Sequence, residues 1–244
     1  MDNRFERNEL YFGEEVCKKL SLIKVCVVGV GGVGSYAVES LARLGVSNFV
    51  LIDKDKVDIT NINRQIIALQ STLNKEKTSV LKERVLDINP NAKVKEYSMF
   101  LNKETINTII EEKPDFVVDA IDTISCKWEL IKLCLDNNID FISSTGMGNR
   151  MDLTKLVITT LDKTNYDPVS KKLRELVRKD NRLKDMKKIN VVFSNELPKK
   201  QQTIVNVNGK TMKETCPPAS IMFVPSAAGM LCAYYIVKNV CDKK

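Results

Sequence analysis

The fold is decided by residues 22–34, which read Leu-Ile-Lys-Val-Cys-Val-Val-Gly-Val-Gly-Gly-Val-Gly. Small and β-branched residues over Leu22–Gly29 predict a buried strand, and the pattern from Ser35 to Leu44 predicts a helix. The glycines between them, Gly29-Val30-Gly31-Gly32-Val33-Gly34, let backbone amides and a helix N-terminus approach phosphate oxygens. This context predicts a nucleotide-binding loop, although the motif alone does not separate NAD from ATP or from a tight turn made for packing.

Strands and helices alternate from this loop to about residue 145. The next strand is predicted at Phe49–Ile52 and ends at Asp53. The apolar pattern then predicts helices at 75–88, 102–112 and 125–137, and strands at 94–97, 116–121 and 141–144. This alternation predicts an α/β fold with a doubly wound, mainly parallel, Rossmann-like sheet.

The remainder of the chain has a different rhythm and is expected to form an added C-terminal strand and helix region. Its predicted elements are strands at Leu156–Thr160 and Ile189–Ser194 and helices at Pro168–Lys179 and Ser220–Val240. No linker-like segment interrupts the chain. We therefore expect one domain over 1–244, with a nucleotide-binding core at 1–150 and an extension at 151–244.

Composition excludes several kinds of chemistry. The chain has 244 residues, a net charge of +7, 43% hydrophobic residues and no histidine. This is a globular composition, and the absence of histidine excludes Ser-His-Asp, Cys-His and His-metal mechanisms. Any reaction must use Asp, Arg, Lys, Asn, Cys, backbone amides or a bound metal.

The seven cysteines form no Cys-x-x-Cys pair, so neither a disulfide framework nor a zinc site is expected. Cys126, Cys216 and Cys232 are interpreted as packing or incidental thiols. The N-terminus is charged, and the longest apolar run, Ala227–Val237, is 11 residues. No secretion signal or membrane span is therefore predicted, and a cytoplasmic protein with reduced thiols is expected.

Polar residues follow the predicted strands where a nucleotide would lie. Asp53 ends the second strand, where a carboxylate can accept hydrogen bonds from ribose hydroxyls. Arg64 and Lys77, together with Asn61, fit a triphosphate better than a nicotinamide because they neutralise phosphate charge. Asp122 follows another strand and is a candidate Mg²⁺ ligand. As isolated residues, Arg64 and Lys77 would more often be surface charges.

These motifs together resemble the adenylating domain of the ubiquitin-activating-enzyme superfamily, which includes the bacterial sulfur-carrier adenylyltransferases. In chain order they are Gly-x-Gly-Gly-x-Gly at 29–34, Ile52-Asp53-x-Asp55, Asn61-Ile62-Asn63-Arg64-Gln65, Lys77, Asp87-Ile88-Asn89-Pro90 and Asp119-Ala120-Ile121-Asp122. The resemblance covers about 1–150. Their order and spacing indicate a ThiF-like adenylating domain.

Within the superfamily, the chain looks most similar to the tRNA threonylcarbamoyladenosine dehydratase branch. The supporting stretches are Arg4-Phe5-Glu6-Arg7, Leu10-Tyr11-Phe12-Gly13, Ser144-Thr145-Gly146-Met147-Gly148-Asn149, Asp167-Pro168-Val169 with Lys172-Leu173-Arg174, and Val191-Val192-Phe193-Ser194. The chain departs from the branch at Asp152-Leu153-Thr154, where Asp-Pro-Thr is usual, and at Met147, where alanine is common. Residues 200–218 match no part of this pattern, so no contacts are assigned to them.

The resemblance implies ATP and Mg²⁺ as cofactors and a set of nucleotide-binding residues. These are Gly29, Gly31, Gly32, Gly34, Asp53, Asp55, Asn61, Arg64, Gln65, Lys77 and Asp122. Asp122, Arg64, Lys77 and Arg7 would be catalytic, with Asp122 as the Mg²⁺ ligand. Arg7 would act in the partner subunit's site, which implies a homodimer. Lys127 is a candidate contact for the substrate carboxylate, with a solvated lysine in the first turn of a helix as the alternative.

The implied reaction is the ATP-dependent cyclisation of N6-threonylcarbamoyladenosine in tRNA through activation of the threonyl carboxylate. The extension at 151–244 would face the tRNA and take part in dimer contacts. One alternative is an adenylyltransferase that activates the C-terminus of a sulfur-carrier or ubiquitin-like protein, and another is a non-catalytic nucleotide-binding module. A cysteine desulfurase or sulfur acceptor as partner is left open.

The positive charge is concentrated in residues 163–200, which hold 12 Lys and Arg against 5 Asp and Glu. Such a surplus fits docking to tRNA phosphates. The candidate contacts are Lys171, Lys172, Arg174 and Arg178. The same helix has an apolar stripe, so these charges could also be an ordinary solvated face.

Overall fold

The structure is a computed structural model and describes residues 3–199, 204–207, 210–213 and 218–242. Its helices are α1 (Glu6–Phe12), α2 (Glu14–Leu22), α3 (Gly34–Arg43), α4 (Lys77–Ile88), α5 (Asn107–Glu112), α6 (Ile124–Asp136), α7 (Pro168–Lys179) and α8 (Phe223–Asp242). Its strands are β1 (Lys24–Val28), β2 (Asn48–Ile52), β3 (Lys93–Tyr97), β4 (Phe116–Asp119), β5 (Asp140–Ser144), β6 (Leu156–Thr160), β7 (Asn190–Ser194), β8 (Ile204–Val207) and β9 (Lys210–Lys213).

Seven of these strands form one sheet in the order β3-β2-β1-β4-β5-β7-β6. All neighbours are parallel except β6, which pairs antiparallel with β7 at the sheet edge. The predicted doubly wound, mainly parallel α/β fold is therefore confirmed. Strand order reverses between β1 and β4, which creates the crevice where open α/β sheets bind ligands.

Helices cover both faces of the sheet, which explains why the central strands are apolar without alternation. In β1, Val25 and Val27 point to one core cluster and Cys26 and Val28 to the other, and all four are buried. The first cluster includes residues of α3, α4 and α8, and the second includes residues of α6 and α7. Strands β6 and β7 of the extension thus join the sheet of the core.

Several boundaries differ from the sequence predictions. Leu22 ends α2 rather than beginning a strand, and two N-terminal helices were not predicted because their sequence is largely polar. The helix predicted at 102–112 begins only at Asn107. The Asn102 carboxamide instead accepts the amide of Glu104 at 2.8 Å, which makes a polar turn ahead of the helix. Strand β4 ends at Asp119, so Asp122 lies in the following loop.

Within residues 200–218, β8 pairs with β9 in a two-stranded antiparallel sheet. Cys216 lies outside the described residues, so its interpretation as a packing thiol stays a prediction. Cys232 is fully buried in α8, and burial raises the pKa of its thiol to about 12, as expected for a packing residue. In the part of the chain that the structure describes, no helix has an apolar stretch long enough to traverse a bilayer.

Candidate active site

A pocket of about 340 Å³ opens at the carboxyl edge of the sheet, where the strand order reverses. Its walls contain all the predicted nucleotide-binding residues except Gly34. These are Gly29, Gly31, Gly32, Asp53, Asp55, Asn61, Arg64, Gln65, Lys77 and Asp122. Residues that are far apart in the chain therefore lie in one pocket, because the loops that follow parallel strands lie at the same edge of the sheet.

Two of the glycines are required by close backbone approach. Gly29 has a φ of 85°, and a Cβ there would lie 2.6 Å from the Ala120 carbonyl oxygen, on the far side of the crevice. A Cβ on Gly34 would lie 1.9 Å from the Gly29 carbonyl oxygen. Gly34 thus closes the turn and does not line the pocket, whereas Gly31 and Gly32 do. This division explains why the sequence motif needs glycine for two different reasons.

The Asp53 carboxylate holds the glycine loop in place. One of its oxygens accepts the Val30 amide at 2.8 Å, and the other accepts the Asp55 amide at 2.9 Å. Burial raises the pKa of Asp53, although the two backbone hydrogen bonds and Lys77 partly oppose this effect. The side chain is therefore a desolvated acceptor fixed at the pocket wall, where each oxygen keeps a second lone pair.

A buried cation lies opposite the glycine loop. Lys77 is the first residue of α4, and its ammonium lies 3.1 Å from Oδ2 of Asp55. Its side chain is 7% exposed and that of Asp55 is 51% exposed. Among the described residues its carboxylate partner is Asp55, which is half exposed and lines the same pocket, so the Lys77 ammonium can share its charge with an anionic ligand.

The segment after β2 supplies further donors. It begins with a short turn at Ile59–Asn61 that is capped by Asp58 (the capped turn). Asn61 is buried, and its Oδ1 accepts the Asp58 amide at 3.1 Å. Arg64 donates from Nη1 to the carbonyl of Thr60 at 2.8 Å and to Oδ1 of Asn63 at 2.9 Å. Within the described part of the chain, Nε and Nη2 of Arg64 donate no hydrogen bond. The guanidinium is therefore oriented by one nitrogen and retains donors for a ligand.

Gln65 carries a buried polar atom without a partner. The side chain is 7% exposed, and its Oε1 makes no hydrogen bond to the described residues. A Cβ on Gly31 would lie 3.5 Å from the Gln65 amide nitrogen, so the amide faces the glycine loop. An unpaired buried amide oxygen is costly and indicates a position where a ligand or water completes the bonding.

Asp122 is exposed and weakly held. Its only contact within the described residues is a 3.3 Å hydrogen bond from the Thr123 hydroxyl. No group of three or more potential metal-binding side chains occurs in the described ranges. A single free carboxylate can still bind Mg²⁺ when phosphates and water supply the remaining ligands.

Several pocket residues were not predicted from the sequence. Met99, Phe100 and Leu101 follow β3, and the Lys54 ammonium lies 5.1 Å from the centre of the Phe100 ring. Met147 and Cys126 also line the pocket, so Cys126 is not simply a core thiol. The remaining wall residues from the extension are Ser220 and Pro225. Met147 lies in the stretch 144–149 that carries the family resemblance, whereas the other positions belong to no spacing motif.

One predicted substrate contact needs correction, and a second is partly engaged within the protein. Lys127 is 1% exposed, and its ammonium lies 2.8 Å from Oδ2 of Asp119, so it is not open to a substrate carboxylate. Arg174 is half-buried and donates to the carbonyl of Thr164 at 2.9 Å and to its hydroxyl, so its guanidinium holds a turn. The Lys127 charge is therefore paired inside the protein, whereas Arg174 uses only Nη1 to hold the turn among the described residues.

The other predicted residues lie on the surface away from the pocket wall. Lys171, Lys172 and Arg178 are exposed on α7, where Lys172 pairs with Glu175 at 3.0 Å. Arg7 is exposed on α1 and does not line the pocket of its own chain. An arginine that acts in a partner subunit's site would lie outside the pocket of its own chain, as Arg7 does. That role stays a prediction.

Known proteins are similar to this chain in sequence and in structure over nearly its whole length. The chain is 41% identical over 245 residues to a tRNA threonylcarbamoyladenosine dehydratase of Bacillus subtilis, which covers 98% of this chain and 95% of that protein. The solved structure of E. coli tRNA N6-threonylcarbamoyladenosine dehydratase in complex with AMP is 32% identical, with a TM-score of 0.89, and the match covers 99% of this chain and 95% of that one. The same E. coli enzyme in complex with ATP gives 31% identity, a TM-score of 0.88 and the same coverage.

The sequence profile of the ThiF family matches residues 5–244. This range includes the glycine loop, the capped turn with Arg64, the Asp122 loop and the strands of the extension. The match covers nearly the whole chain, as does the similarity to the Bacillus protein, so both comparisons include the sheet and the pocket residues. The chain belongs to the ThiF family.

Proposed function

We propose that this protein is an ATP-dependent enzyme that dehydrates and cyclises N6-threonylcarbamoyladenosine in tRNA. One observation carries the proposal. A chain 41% identical to a tRNA threonylcarbamoyladenosine dehydratase over 98% of its length gathers the donors for a nucleoside triphosphate in a single pocket. The similar E. coli structures in complex with AMP and ATP support the assignment of that pocket to the nucleotide.

In this proposal the nucleotide lies across the crevice between β1 and β4. The backbone of Gly31 and Gly32 approaches the phosphates, and the free lone pairs of Asp53 accept the ribose hydroxyls. Arg64 and Lys77 neutralise the polyphosphate, since one retains free donors and the other is a buried ammonium. The apolar residues Met99–Leu101 and the unpaired Gln65 amide complete the walls.

Asp122 would hold Mg²⁺ together with the phosphates. The carboxylate fits this role because it is exposed, lines the pocket and accepts only the Thr123 hydroxyl within the described residues. The ion would supply positive charge at the transferring phosphate. Asp55 is less available, because it already pairs with Lys77.

The chemistry needs no histidine. The threonyl carboxylate is a poor electrophile, so its oxygen attacks a phosphorus of ATP, the P–O bond to the departing phosphate breaks, and an acyl phosphate-type ester forms. The tethered carbamoyl group then attacks the acyl carbon and closes a five-membered ring. The phosphate ester leaves, and the carbamoyl proton passes to solvent. Positioning contributes most, since intramolecular reactions reach effective molarities of about 10⁵ M or more.

The surface residues extend the site to the rest of the substrate. The exposed Lys171, Lys172 and Arg178 of α7 would contact tRNA phosphates. Arg7 of one subunit would complete the site of its partner in a homodimer. We place the reaction in the cytoplasm, where tRNA and ATP are available. No sulfur is transferred, so a cysteine desulfurase or sulfur acceptor is not a reactant.

Nucleoside mass spectrometry of tRNA tests the proposal. Purified protein, ATP, Mg²⁺ and tRNA bearing threonylcarbamoyladenosine should yield a nucleoside lighter by one water, and omission of ATP should abolish the change. No mass change with active-site-intact protein would contradict it. Pyrophosphate exchange with a carrier protein ending in Gly-Gly, but not with tRNA, would instead favour the adenylyltransferase.

A further inference from the structure

Asp119 and Lys127 form an ion pair that is sealed from solvent beside the pocket loop. Their side chains are 0% and 1% exposed, and Nζ lies 2.8 Å from Oδ2. The Ser143 hydroxyl donates to the same carboxylate oxygen at 2.7 Å, and the Lys127 ammonium donates to that hydroxyl at 3.3 Å. The pair therefore joins the end of β4, the first turn of α6 and β5.

Stability alone is a poor explanation for this arrangement. Removing two charges from water costs free energy that their attraction seldom exceeds, and well-packed apolar residues of similar size are often as stable. The flanking positions Trp128, Leu130 and Ile131 are already buried and apolar. A charged pair in such surroundings fixes the position of α6 relative to the end of β4, because an ion pair with hydrogen bonds has one favoured geometry.

The ion pair holds the loop 120–123, whose residues line the pocket. At its start, Oδ1 of Asp119 accepts the Ile121 amide at 3.2 Å. At its end, the Lys127 amide donates to the Thr123 carbonyl at 3.0 Å. The Lys127 ammonium also donates to the Asp119 carbonyl at 3.4 Å, so the two ends of the loop are bonded to each other.

Asp122 depends on this frame because it has little support of its own. Its carboxylate is exposed and accepts only the Thr123 hydroxyl at 3.3 Å among the described residues. We infer that Lys127 is a positioning residue, which acts through Asp119 to hold the 120–123 loop so that Asp122 faces the nucleotide. This inference rests on the proposed function for the role of Asp122.

The test removes both charges together, so that no unpaired charge stays buried. In the double variant Asp119→Asn/Lys127→Met, we expect a melting temperature close to wild type and ATP affinity within about threefold, but kcat lower by about tenfold or more. Lys127→Arg keeps the charge and should retain more turnover than Lys127→Met. The matched control is Glu39→Gln/Arg84→Met, a half-buried pair outside the pocket wall, which should leave kcat unchanged.

A mutant cycle with Asp122→Asn separates positioning from general damage. If the ion pair acts through Asp122, the loss of kcat caused by Asp122→Asn should be much smaller in the double variant than in wild type. Losses that simply multiply would overturn the inference, and so would a kcat within about twofold of wild type in the double variant.

Deuterium exchange distinguishes this inference from the proposed function. Backbone amides in the peptide that contains 120–127 should exchange faster in the double variant than in wild type, with unchanged exchange in α3. This holds whatever the substrate is. Wild-type protein that fails to cyclise the tRNA would refute the proposed function alone, whereas equal exchange in variant and wild type would refute the positioning role alone.

Discussion

The backbone amide of Val30 donates a 2.8 Å hydrogen bond to the Asp53 carboxylate, which joins the glycine loop after β1 to the end of β2. The acceptor is a desolvated carboxylate whose pKa is raised chiefly by burial. The residue predicted to bind ribose therefore also shapes the phosphate loop. Both contributions to nucleotide binding should be lost together when this side chain is removed.

Asp53→Ala should weaken ATP binding strongly. Each hydrogen bond to a charged acceptor contributes roughly 1.5–3 kcal/mol, and the loop also loses its anchor. Isothermal titration calorimetry of wild type and variant measures the effect. Asp162→Ala removes an exposed carboxylate outside the pocket and serves as the control. Equal affinity in the Asp53 variant would show that the carboxylate contributes nothing to binding.

Asp122→Asn should lower kcat far more than it raises the KM for ATP. The exposed carboxylate would act when charge develops at the transferring phosphate, rather than in nucleotide binding. Steady-state kinetics at saturating ATP and Mg²⁺ measure the separation. Normal turnover under these conditions would assign Asp122 a merely structural role.

Arg7→Ala and Asp122→Asn chains should complement each other when mixed. Each is expected to be nearly inactive alone, but one of the two composite sites in a mixed dimer contains both residues. Random exchange makes roughly half of the dimers mixed, and one of the two sites in each mixed dimer is complete. The mixture should therefore recover up to about a quarter of the wild-type activity. Subunit exchange is verified with differently tagged chains, and exchange without recovered activity would reject an arginine acting in the partner's site.

Neutralising Lys171, Lys172 and Arg178 to glutamine should weaken tRNA binding and leave ATP binding unchanged. Each lost phosphate contact should reduce the slope of log affinity against log salt by about 0.7–0.9. The control neutralises Lys18, Lys103 and Lys238, which are equally exposed on other elements. Unchanged affinity and slope in the α7 variant would mean that these charges are an ordinary solvated face.

Glu39→Gln should reduce stability at neutral pH but not in acid. Burial alone would raise the pKa of Glu39, but hydrogen bonds and charges of Arg84 and Arg43 outweigh it and lower the pKa. A lowered carboxylate pKa stabilises the fold above its unfolded-state value, and this contribution is lost as the pH falls through the folded-state value. Melting temperatures should therefore differ at pH 7, by about 2–4 °C for each kcal/mol lost, and converge in acid. A constant difference would contradict the assignment.

Local patterns were sufficient for the sheet and for most of the pocket. The apolar strand at 24–28, the glycines after it and Asp53 follow from residue types and spacing, because strands and phosphate loops are built from consecutive residues. The bounds of β6 and α7 agree with the predictions. The roles of the pocket residues stay predictions, but their meeting at one edge follows from parallel topology alone.

Tertiary packing decided what the individual charged side chains do. Lys127 is predicted to contact a substrate carboxylate, yet it is buried against Asp119, and one nitrogen of the half-buried Arg174 holds a turn. The α/β sheet and the loop that can bind a nucleotide follow from the order of the residues, because backbone propensity and hydrophobic period are short-range properties. The burial of Lys127 and the exposure of Lys171 follow from packing, since the direction of a long side chain depends on neighbours that come from distant positions in the chain.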